Sequence, residues 1–428
     1  MPEPLIVRLS GAEIGEIEPS GRFRWTPEWM RLAPLNARVL SSSLPFGASA
    51  LDSEPFFGGL LPEGAGLERL AREARVASND LFGLLSEVGA DVGGAVTIGE
   101  PRPALDPIVI EEEEYGRILE RAAGYIRGIS VGGGGSAATG VQPKVALTWE
   151  PQPGRWLIGR GSTPSTHLLK PVPVEHGDRI RAEAYLNDIA RTLGLSAHEA
   201  RVEPAGERLV LVVERYDRLR EGSGIRRLHQ EDAAQALGLP WGGNSKYESV
   251  DARASLRGIA RILPHSALAA APSERERLLS LTVLNLTAGN TDAHAKNVSF
   301  LLPDLGAAFG ADAERIRLAD AYDLVPQVLF EADPPPLAMR INGRSLPGGI
   351  TIADLVAEGV SWGLRESRAS EIVESVLDEV IAAVSARPAG DAVARRVSAL
   401  LQEQSENLLR GDPAWTRPLP PAIALGRA

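Results

Sequence analysis

The residues best suited to chemistry form one short segment, Asn290-Thr291-Asp292-Ala293-His294-Ala295-Lys296-Asn297. Asp292 is followed five residues later by Asn297, which is the spacing of a kinase catalytic loop. In such a loop the aspartate accepts or orients the proton of the attacking hydroxyl, and the asparagine oxygen holds a magnesium ion. The same spacing also arises by chance in a loop that only joins a helix to a strand, so the interpretation depends on further residues.

Three charged residues elsewhere occur in the same order along the chain as the ATP-binding residues of protein kinases. Asp323, in Ala321-Tyr322-Asp323-Leu324, suits a second magnesium ligand. Lys170 ends an apolar strand-like run and suits the α- and β-phosphates, and Glu183 opens the next helix as its predicted ion-pair partner. Each has a plainer alternative: a turn residue, a surface lysine and a solvated carboxylate. The joint order favours the kinase interpretation.

A glycine-rich run, residues 131–140, precedes these groups and can cover phosphates with its backbone N–H groups. Taken alone, it is more typical of a linker than of a phosphate-binding loop. Glu214-Arg215-Tyr216 follows a predicted strand, where backbone groups would meet the adenine. We predict ATP contacts at Thr139, Gly140, Val141, Gln142, Pro143, Lys144, Lys170, Glu214, Arg215, Tyr216, His294, Ala295, Lys296, Asn297, Tyr322 and Asp323.

His294 has three possible roles. As a zinc ligand it would need partners, but the other five histidines show no i+3 to i+5 spacing. As a general base it is a poorer choice than Asp292. We therefore expect His294, with Lys296, to face the transferred phosphoryl group.

The composition bounds the classes of protein that the chain can represent. It has 428 residues, more than one hydrophobic core usually serves. Its hydrophobic and charged fractions, 44% and 24%, are typical of a globular protein. The absence of cysteine excludes disulfides and thiolate chemistry, and no apolar run suits a transmembrane helix or a signal peptide. We therefore expect a cytoplasmic protein without membrane contact, and its net charge of −11 argues against binding DNA alone.

The patterning predicts strands with one helix in the first half and mainly helices afterwards. Strands are expected near 5–9, 95–98, 144–149, 156–158, 167–170, 200–202, 209–214 and 298–302. Helices are expected near 63–74, 79–88, 111–127, 182–193, 230–237, 255–263, 274–288, 371–384 and 391–409. The predicted parts are an N-terminal α/β module (1–100), an N-lobe with the glycine loop and lysine (101–220), a helical C-lobe with the catalytic loop (221–412) and an irregular Pro-rich tail (413–428).

With these motifs in place, the sequence resembles the HipA family of serine/threonine kinase toxins. The matching pieces are collinear over residues 55 to 330. They are Phe56-Phe57 with Leu60-Leu61-Pro62, Leu84–Gly89, Gly140–Lys144, Ser165–Lys170, Val213–Arg218, His229–Asp232, Lys246-Tyr247-Glu248, Asp292–Asn297 and Tyr322-Asp323.

The resemblance implies an α+β, divergent protein-kinase-like fold of two lobes, with an N-terminal module and an all-helical C-terminal lobe. It also implies a HipB-like helix-turn-helix antitoxin that carries the complex to operator DNA. The implied substrate is an aminoacyl-tRNA synthetase such as glutamyl-tRNA synthetase, whose phosphorylation would stop translation and promote dormancy. The cofactors implied are ATP and Mg²⁺.

One position departs from the family pattern. The family's autophosphorylated serine corresponds to Ala137, so we expect Thr139 or Ser136 to take that role, or the control to be absent. A phosphate there would repel the phosphates of ATP and eject the loop. Two other functions stay open at this stage: a catalytically silent corepressor that binds the antitoxin, and a kinase for a small molecule.

Overall fold

The structure is a computed structural model that describes residues 2–32, 37–46, 53–100, 106–124, 144–159, 163–222, 224–264, 273–305, 316–331, 335–387 and 390–415. The chain forms two compact units. The first holds Met1–Val172, Glu203–Asn244 and Phe300–Ile316, and the second holds Pro173–Val202, Ser245–Ser299 and Arg317–Ala428. These boundaries differ from the predicted 100/101 and 220/221, and the predicted division by function stays a prediction.

The described strands are β1 (Leu5–Leu9), β2 (Ala12–Ile17), β3 (Phe23–Trp25), β4 (Val96–Ile98), β5 (Ile108–Val109), β6 (Val145–Glu150), β7 (Arg155–Ile158), β8 (His167–Pro173), β9 (Ala200–Ala205), β10 (Arg208–Glu214), β11 (Arg218–Glu221), β12 (Gly224–Arg227), β13 (Gln230–Asp232), β14 (Ser299–Leu301) and β15 (Arg317–Leu318). The described α-helices are α1 (Trp29–Leu32), α2 (Glu54–Gly59), α3 (Ala65–Ala74), α4 (Leu81–Val88), α5 (Glu112–Gly124), α6 (Gly177–Thr192), α7 (Ala233–Ala236), α8 (Leu256–Ile262), α9 (Glu274–Thr287), α10 (Ile352–Ser361), α11 (Glu366–Ser385) and α12 (Ala392–Leu409).

The two larger sheets of the first unit have separate apolar cores among the described residues. One is a four-stranded sheet of order β3-β2-β1-β4, packed with α2 to α4 around Phe56, Phe57 and neighbouring leucines. The other has the order β5-β7-β6-β8-β10-β9. Val145, Leu147 and Leu169 alternate into the second core, as the period of two in a strand requires. Strand residues between them face the opposite side of this sheet.

Packed helices form most of the second unit. Helix α11 lies against α9, α10 and α12, and α12 also packs against α6. Ser273 and Glu276 close a capping box at the start of α9, which satisfies backbone N–H groups that a helix leaves without intrahelical acceptors. This helix positions the loop that carries Asp292.

Several elements differ from the sequence expectations. Residues 221–412 are mainly helical rather than all helical, because short strands β12 to β15 lie within them. The predicted helix 230–237 is a strand followed by one helical turn, since Asp232 caps the turn by accepting the Gln235 N–H. The hairpin of β11 and β12 and the helix α10 were not predicted. Among the described residues, no helix is long and apolar enough to cross a membrane.

A buried carboxyl group in the first unit makes stability depend on pH. Glu231 is fully buried and accepts hydrogen bonds from Ser41 Oγ and the Ser42 N–H (2.8 Å for the latter). Burial raises the pKa of Glu231 from 4.5 to about 7, although these donors oppose the rise. Because the folded pKa is the higher one, its contribution is complete below about pH 4.5 and is lost as the pH rises through about 7.

Glu231→Gln is therefore expected to stabilise the chain relative to wild type at pH 8 but not at pH 4.5. The change in relative stability should approach about 3 kcal/mol, from roughly 1.4 kcal/mol per pKa unit. Thermal unfolding midpoints of both proteins at the two pH values measure it. The titration of nearby His229, whose pKa burial lowers to about 4, is common to both proteins and cancels in the comparison. A pH-independent difference between the two proteins would contradict the assignment.

Candidate active site

The loop of residues 290–297 follows the end of α9. Between them, the backbone lies close to a neighbouring segment. Gly289 has φ +65°, and a Cβ on it would lie 2.4 Å from Val328 Cγ2. Any larger residue would meet both a strained backbone and a packed side chain. Glycine therefore lets the chain leave the helix directly into the loop that carries Asp292.

Within the loop, the Asp-to-Asn spacing closes into a compact turn. The Asp292 carbonyl oxygen accepts the His294 N–H at 2.7 Å and the Asn297 Nδ2 at 3.1 Å. The His294 carbonyl in turn accepts the Asn297 N–H at 2.8 Å. Since the Asn297 amide nitrogen is used in this way, its Oδ1 is the atom left to bind a cation. Asp292 and Asn297 are thus brought together by local hydrogen bonds.

The other predicted contacts of this loop have mixed positions. Ala295 is fully buried and its N–H donates to the Lys246 carbonyl at 3.1 Å. His294 is also buried, with its ring edge-on to Tyr247. Lys296 is half-buried, and its backbone carbonyl accepts a hydrogen bond from the Tyr322 hydroxyl. Their contacts with ATP stay predictions.

Asp323 lies in an irregular segment tied to the same loop. The Tyr322 hydroxyl donates to the Lys296 carbonyl at 2.6 Å and lies 2.7 Å from Ser299 Oγ. Hydrogen bonds therefore join the residue before Asp323 to the residue before Asn297. Asp323 itself has φ +56°, a left-handed conformation that costs a non-glycine residue about 1–3 kcal/mol and often marks a functional position.

A second set of contacts holds the other side of the Asp323 segment. Asp320 Oδ2 accepts the N–H groups of Ala197 at 2.6 Å and His198 at 3.1 Å. Burial opposes ionisation, but the hydrogen bonds and charge of His198 and the Ala197 N–H outweigh it and lower the pKa of Asp320. Anchors on both sides explain how the unusual backbone of Asp323 persists.

The residues present fit a magnesium ion rather than a metal held by protein ligands alone. Among the residues that the structure describes, no three His, Asp or Glu side chains form a metal-binding group. Mg²⁺ in phosphoryl-transfer sites uses one or two protein oxygens and takes the rest from phosphates and water. One amide oxygen at Asn297 and one carboxylate at Asp323 would supply such a partial set, and their roles as ligands stay predictions.

Two buried lysines occupy one face of the larger sheet in the first unit. Lys144 and Lys170 are 8% and 6% exposed. Val145 pairs with Leu169 in the antiparallel register, so continuing by one residue places Lys144 opposite Lys170. Both lie on the face opposite Leu169, and neither is without a partner. Two buried cations at adjacent positions make this face of the sheet suited to anions.

Glu183 lies on α6 in the second unit and is 5% exposed. A carboxylate is rarely buried to this extent unless it is paired or hydrogen-bonded, so it is not the solvated first-turn residue of the alternative interpretation. Glu183 is not without a partner. Its pairing with Lys170 stays a prediction.

The segment Glu214-Arg215-Tyr216 makes contacts that the sequence did not predict. The Arg215 N–H donates to the Thr166 carbonyl at 2.9 Å, and the Tyr216 hydroxyl donates to Gln230 Oε1 at 3.0 Å. The Arg215 guanidinium points into a buried network, and the Arg215 carbonyl accepts the Arg218 N–H at 3.2 Å. The predicted ATP contacts of this segment otherwise stay open.

That network is a buried group of charged and polar side chains, here called the charge cluster, which sequence reasoning missed. Arg215 donates two hydrogen bonds of 2.9 Å to the Asp217 carboxylate, and Arg218 Nη1 donates a third at 2.8 Å. Ser165 Oγ donates to Asp91 Oδ2 at 2.7 Å and accepts from Arg215 Nη1 at 2.9 Å. The members of the charge cluster are Asp91, Ser165, Arg215, Asp217, Arg218 and Arg227.

Backbone groups of residues 92–94 complete the charge cluster. Gly94 N–H donates to Asp217 Oδ2 at 2.8 Å, and the Val92 carbonyl accepts from Arg218 at 3.0 Å. Burial would raise the pKa of Asp91, but the guanidinium groups of Arg227, Arg215 and Arg218 outweigh it and hold that pKa near 2. The charge cluster therefore joins the segment after α4 to the strand end at Arg215 within the first unit.

Residues Thr139, Gly140, Val141, Gln142, Pro143 and Ser136 lie outside the described residues. The predicted phosphate-covering loop and the predicted self-phosphorylation sites therefore stay predictions.

Taken together, the hydrogen bonds of the 290–297 loop and of the tethered Asp323 segment hold the predicted catalytic residues in place within an α+β fold. The comparisons agree with this class. Residues 5–99 match the model of the HipA N-terminal domain, and residues 136–384 match that of the HipA-like C-terminal domain. The chain belongs to the HipA family.

Individual relatives cover most of the chain. It is 30% identical over 383 residues to "Putative kinase Y4mE" of Sinorhizobium fredii, covering 84% of this chain and 85% of that protein. It is 27% identical over 349 residues to the serine/threonine-protein kinase toxin HipA of Shewanella oneidensis, covering 78% and 76%. The solved HipA of that organism, in complex with HipB and operator DNA, gives a TM-score of 0.76 at 23% identity over 95% and 97% of the two chains. This likeness confirms the predicted α+β fold class, although residues 221–412 are not all helical.

Proposed function

We propose that this chain is an ATP-Mg-dependent serine/threonine protein kinase and the toxin of a type II toxin–antitoxin system. The observation that carries the proposal is the closed turn from Asp292 to Asn297, joined through Tyr322 to the segment of Asp323. One short loop then offers a base for a hydroxyl and an oxygen for a cation. A structural loop has no need for this combination.

In the proposed reaction, Asp292 orients the hydroxyl of a serine or threonine and takes up its proton. The hydroxyl oxygen forms a bond to the γ-phosphorus, and the bond from that phosphorus to the β,γ-bridging oxygen breaks to release ADP. Magnesium, held by Asn297 Oδ1 and Asp323, would neutralise phosphate charge. Lys144 and Lys170 add positive charge at the phosphates, and Glu183 orients Lys170.

The nucleotide's other contacts are proposed from the family resemblance. Thr139, Gly140, Val141, Gln142 and Pro143 would cover the phosphates, and backbone atoms of Glu214 and Tyr216 would meet the adenine. Phosphorylation of Thr139, or of Ser136, would place negative charge in this loop and repel ATP.

The partners are proposed from the relatives and from charge. The Shewanella oneidensis HipA was solved with HipB and operator DNA. The net charge of −11 on the present chain suits contact with DNA through a basic HipB-like antitoxin better than direct contact. An aminoacyl-tRNA synthetase such as glutamyl-tRNA synthetase is the proposed substrate, which goes with a cytoplasmic location and with arrest of translation.

Incubation of the purified chain with a lysate of its source cells and γ-labelled ATP tests the proposal. We expect one main labelled protein with wild type, its label on serine or threonine, and none with Asp292→Ala. Equal labelling by both proteins would contradict the proposal. Nucleotide binding without any transfer would favour the silent corepressor, and label only in small molecules would favour the small-molecule kinase.

A further inference from the structure

Tyr247 makes a direct contact with the carboxylate of Asp292. Its hydroxyl donates a hydrogen bond of 3.0 Å to Asp292 Oδ1. Its ring lies edge-on to His294, with ring centroids 5.3 Å apart and planes at 85°. One side chain therefore touches two residues of the 290–297 loop, and its phenol bonds to one oxygen of the Asp292 carboxylate.

The residues on either side of Tyr247 are fastened to the same loop. The Lys246 carbonyl accepts the Ala295 N–H at 3.1 Å. On the other side, the Glu248 N–H donates to the Ala338 carbonyl at 3.0 Å, and the Ala338 N–H donates to the Thr291 carbonyl at 2.8 Å. Backbone hydrogen bonds thus fix the phenol relative to Asp292.

The Glu248 side chain strengthens this attachment. Its Oε2 accepts the Arg340 N–H at 2.6 Å, so Glu248 bonds to residues 338 and 340 of one segment. A group held from several directions loses little further conformational freedom when it orients another group. Tyr247 is therefore arranged before any substrate arrives.

We propose that Tyr247 is a positioning residue for the base of the phosphoryl transfer, an inference that rests on the proposed function. Its hydroxyl donates a hydrogen bond to Asp292 Oδ1 and thereby fixes the plane of the carboxylate. Oδ2 is then the oxygen that receives the proton of the substrate hydroxyl. Tyr247 itself neither binds ATP nor exchanges a proton with the substrate.

This role separates the two kinetic constants. Losing the phenol's hydrogen bond lets the carboxylate rotate, which lowers the fraction of complexes with the oxygen aligned. ATP binding does not depend on that alignment, so the KM for ATP should be unchanged. A hydrogen bond to a charged group corresponds to about a 10- to 100-fold effect, expected here in kcat.

The test measures steady-state transfer to the acceptor protein identified in the lysate, purified, with wild type and Tyr247→Phe. A second variant carries p-aminophenylalanine at position 247, which keeps a ring and an N–H donor. Tyr185→Phe is the matched control, because the Tyr185 hydroxyl lies 2.6 Å from Ser398 Oγ between α6 and α12. Circular dichroism and thermal unfolding check that each variant folds.

We expect Tyr247→Phe to lose about 10- to 100-fold in kcat at constant KM for ATP, the amino variant to recover most of it, and Tyr185→Phe to match wild type. Equal kcat for Tyr247→Phe and Tyr185→Phe would overturn the proposal. So would a loss that the amino variant does not recover, or one expressed mainly in the KM for ATP. If wild type itself transfers no phosphate, the proposed function has failed first.

Discussion

Replacing Asp292 by asparagine is expected to lower the rate of phosphoryl transfer by about 10²- to 10⁴-fold while the chain keeps its fold. Asparagine has nearly the same shape, and its amide oxygen can still accept the hydrogen bond that Tyr247 donates to Oδ1. The Asp292 carbonyl, which closes the turn with His294 and Asn297, is unchanged. The negative charge, and with it the ability to take up a proton, is lost.

Initial rates with labelled ATP and the purified acceptor protein measure this effect, and calorimetric titration with ATP-Mg measures binding. We expect the affinity for ATP to stay within a few-fold of wild type, because Asp292 is not among the proposed magnesium ligands. Asp412→Asn, at an exposed site, is the matched control for the same chemical change. Normal transfer by Asp292→Asn would show that another group is the base.

Asp217→Asn is expected to cost about 3–5 kcal/mol of stability, the usual effect of removing one partner from a buried ion pair. Asp217 receives two hydrogen bonds from Arg215 and one from Arg218, and all three residues are less than 9% exposed. The neutral variant leaves two buried guanidinium groups with reduced compensation. Since a guanidinium stays protonated, it cannot escape by losing its charge.

Scanning calorimetry should show the unfolding midpoint lowered by on the order of 10 °C for this variant. Glu221→Gln is the control, because Glu221 pairs with Arg226 at 2.7 Å on the surface of the same unit. Exposed pairs contribute about 0–1 kcal/mol, so that midpoint should hardly move. Similar midpoints for the two variants would mean that the charge cluster contributes little to stability.

The local part of the candidate site could be predicted from the sequence. Asp292 and Asn297 are five residues apart, and their turn closes through hydrogen bonds within that segment. Tyr322 and Asp323 were singled out from a short motif, and the structure joins Tyr322 to the loop. Such short-range patterns survive in sequence because the chain geometry alone brings the groups together.

Contacts between distant residues were not predictable in the same way. Arg215 was assigned to the nucleotide, yet its guanidinium bonds to Asp217 and to Ser165, 50 residues earlier. Tyr247 lies 45 residues before Asp292, and nothing in its spacing indicates their contact. The segments Val213–Arg218 and Lys246-Tyr247-Glu248 are part of the family resemblance. Sequence alone could not tell whether they serve packing or chemistry.

Secondary structure was likewise predictable where it depends on neighbouring residues, and not where it depends on distant ones. The starts of α4 and α12 were predicted within two residues, near residues 79 and 391, where Asp80 and Asp391 cap the helices through hydrogen bonds that reach only three residues. The 230–237 segment was assigned wholly to a helix because its apolar residues fit both periods. Its first three residues form strand β13 instead, because they pair with the distant strand β14.

The claim on which this account depends is that ATP-Mg binds at the loop of Asp292. A crystal structure of the chain with Mg²⁺ and a non-hydrolysable ATP analogue tests it most directly. We predict the metal on Asn297 Oδ1 and Asp323, with the γ-phosphate facing Asp292. An analogue bound elsewhere, or a metal held away from Asn297 and Asp323, would contradict it.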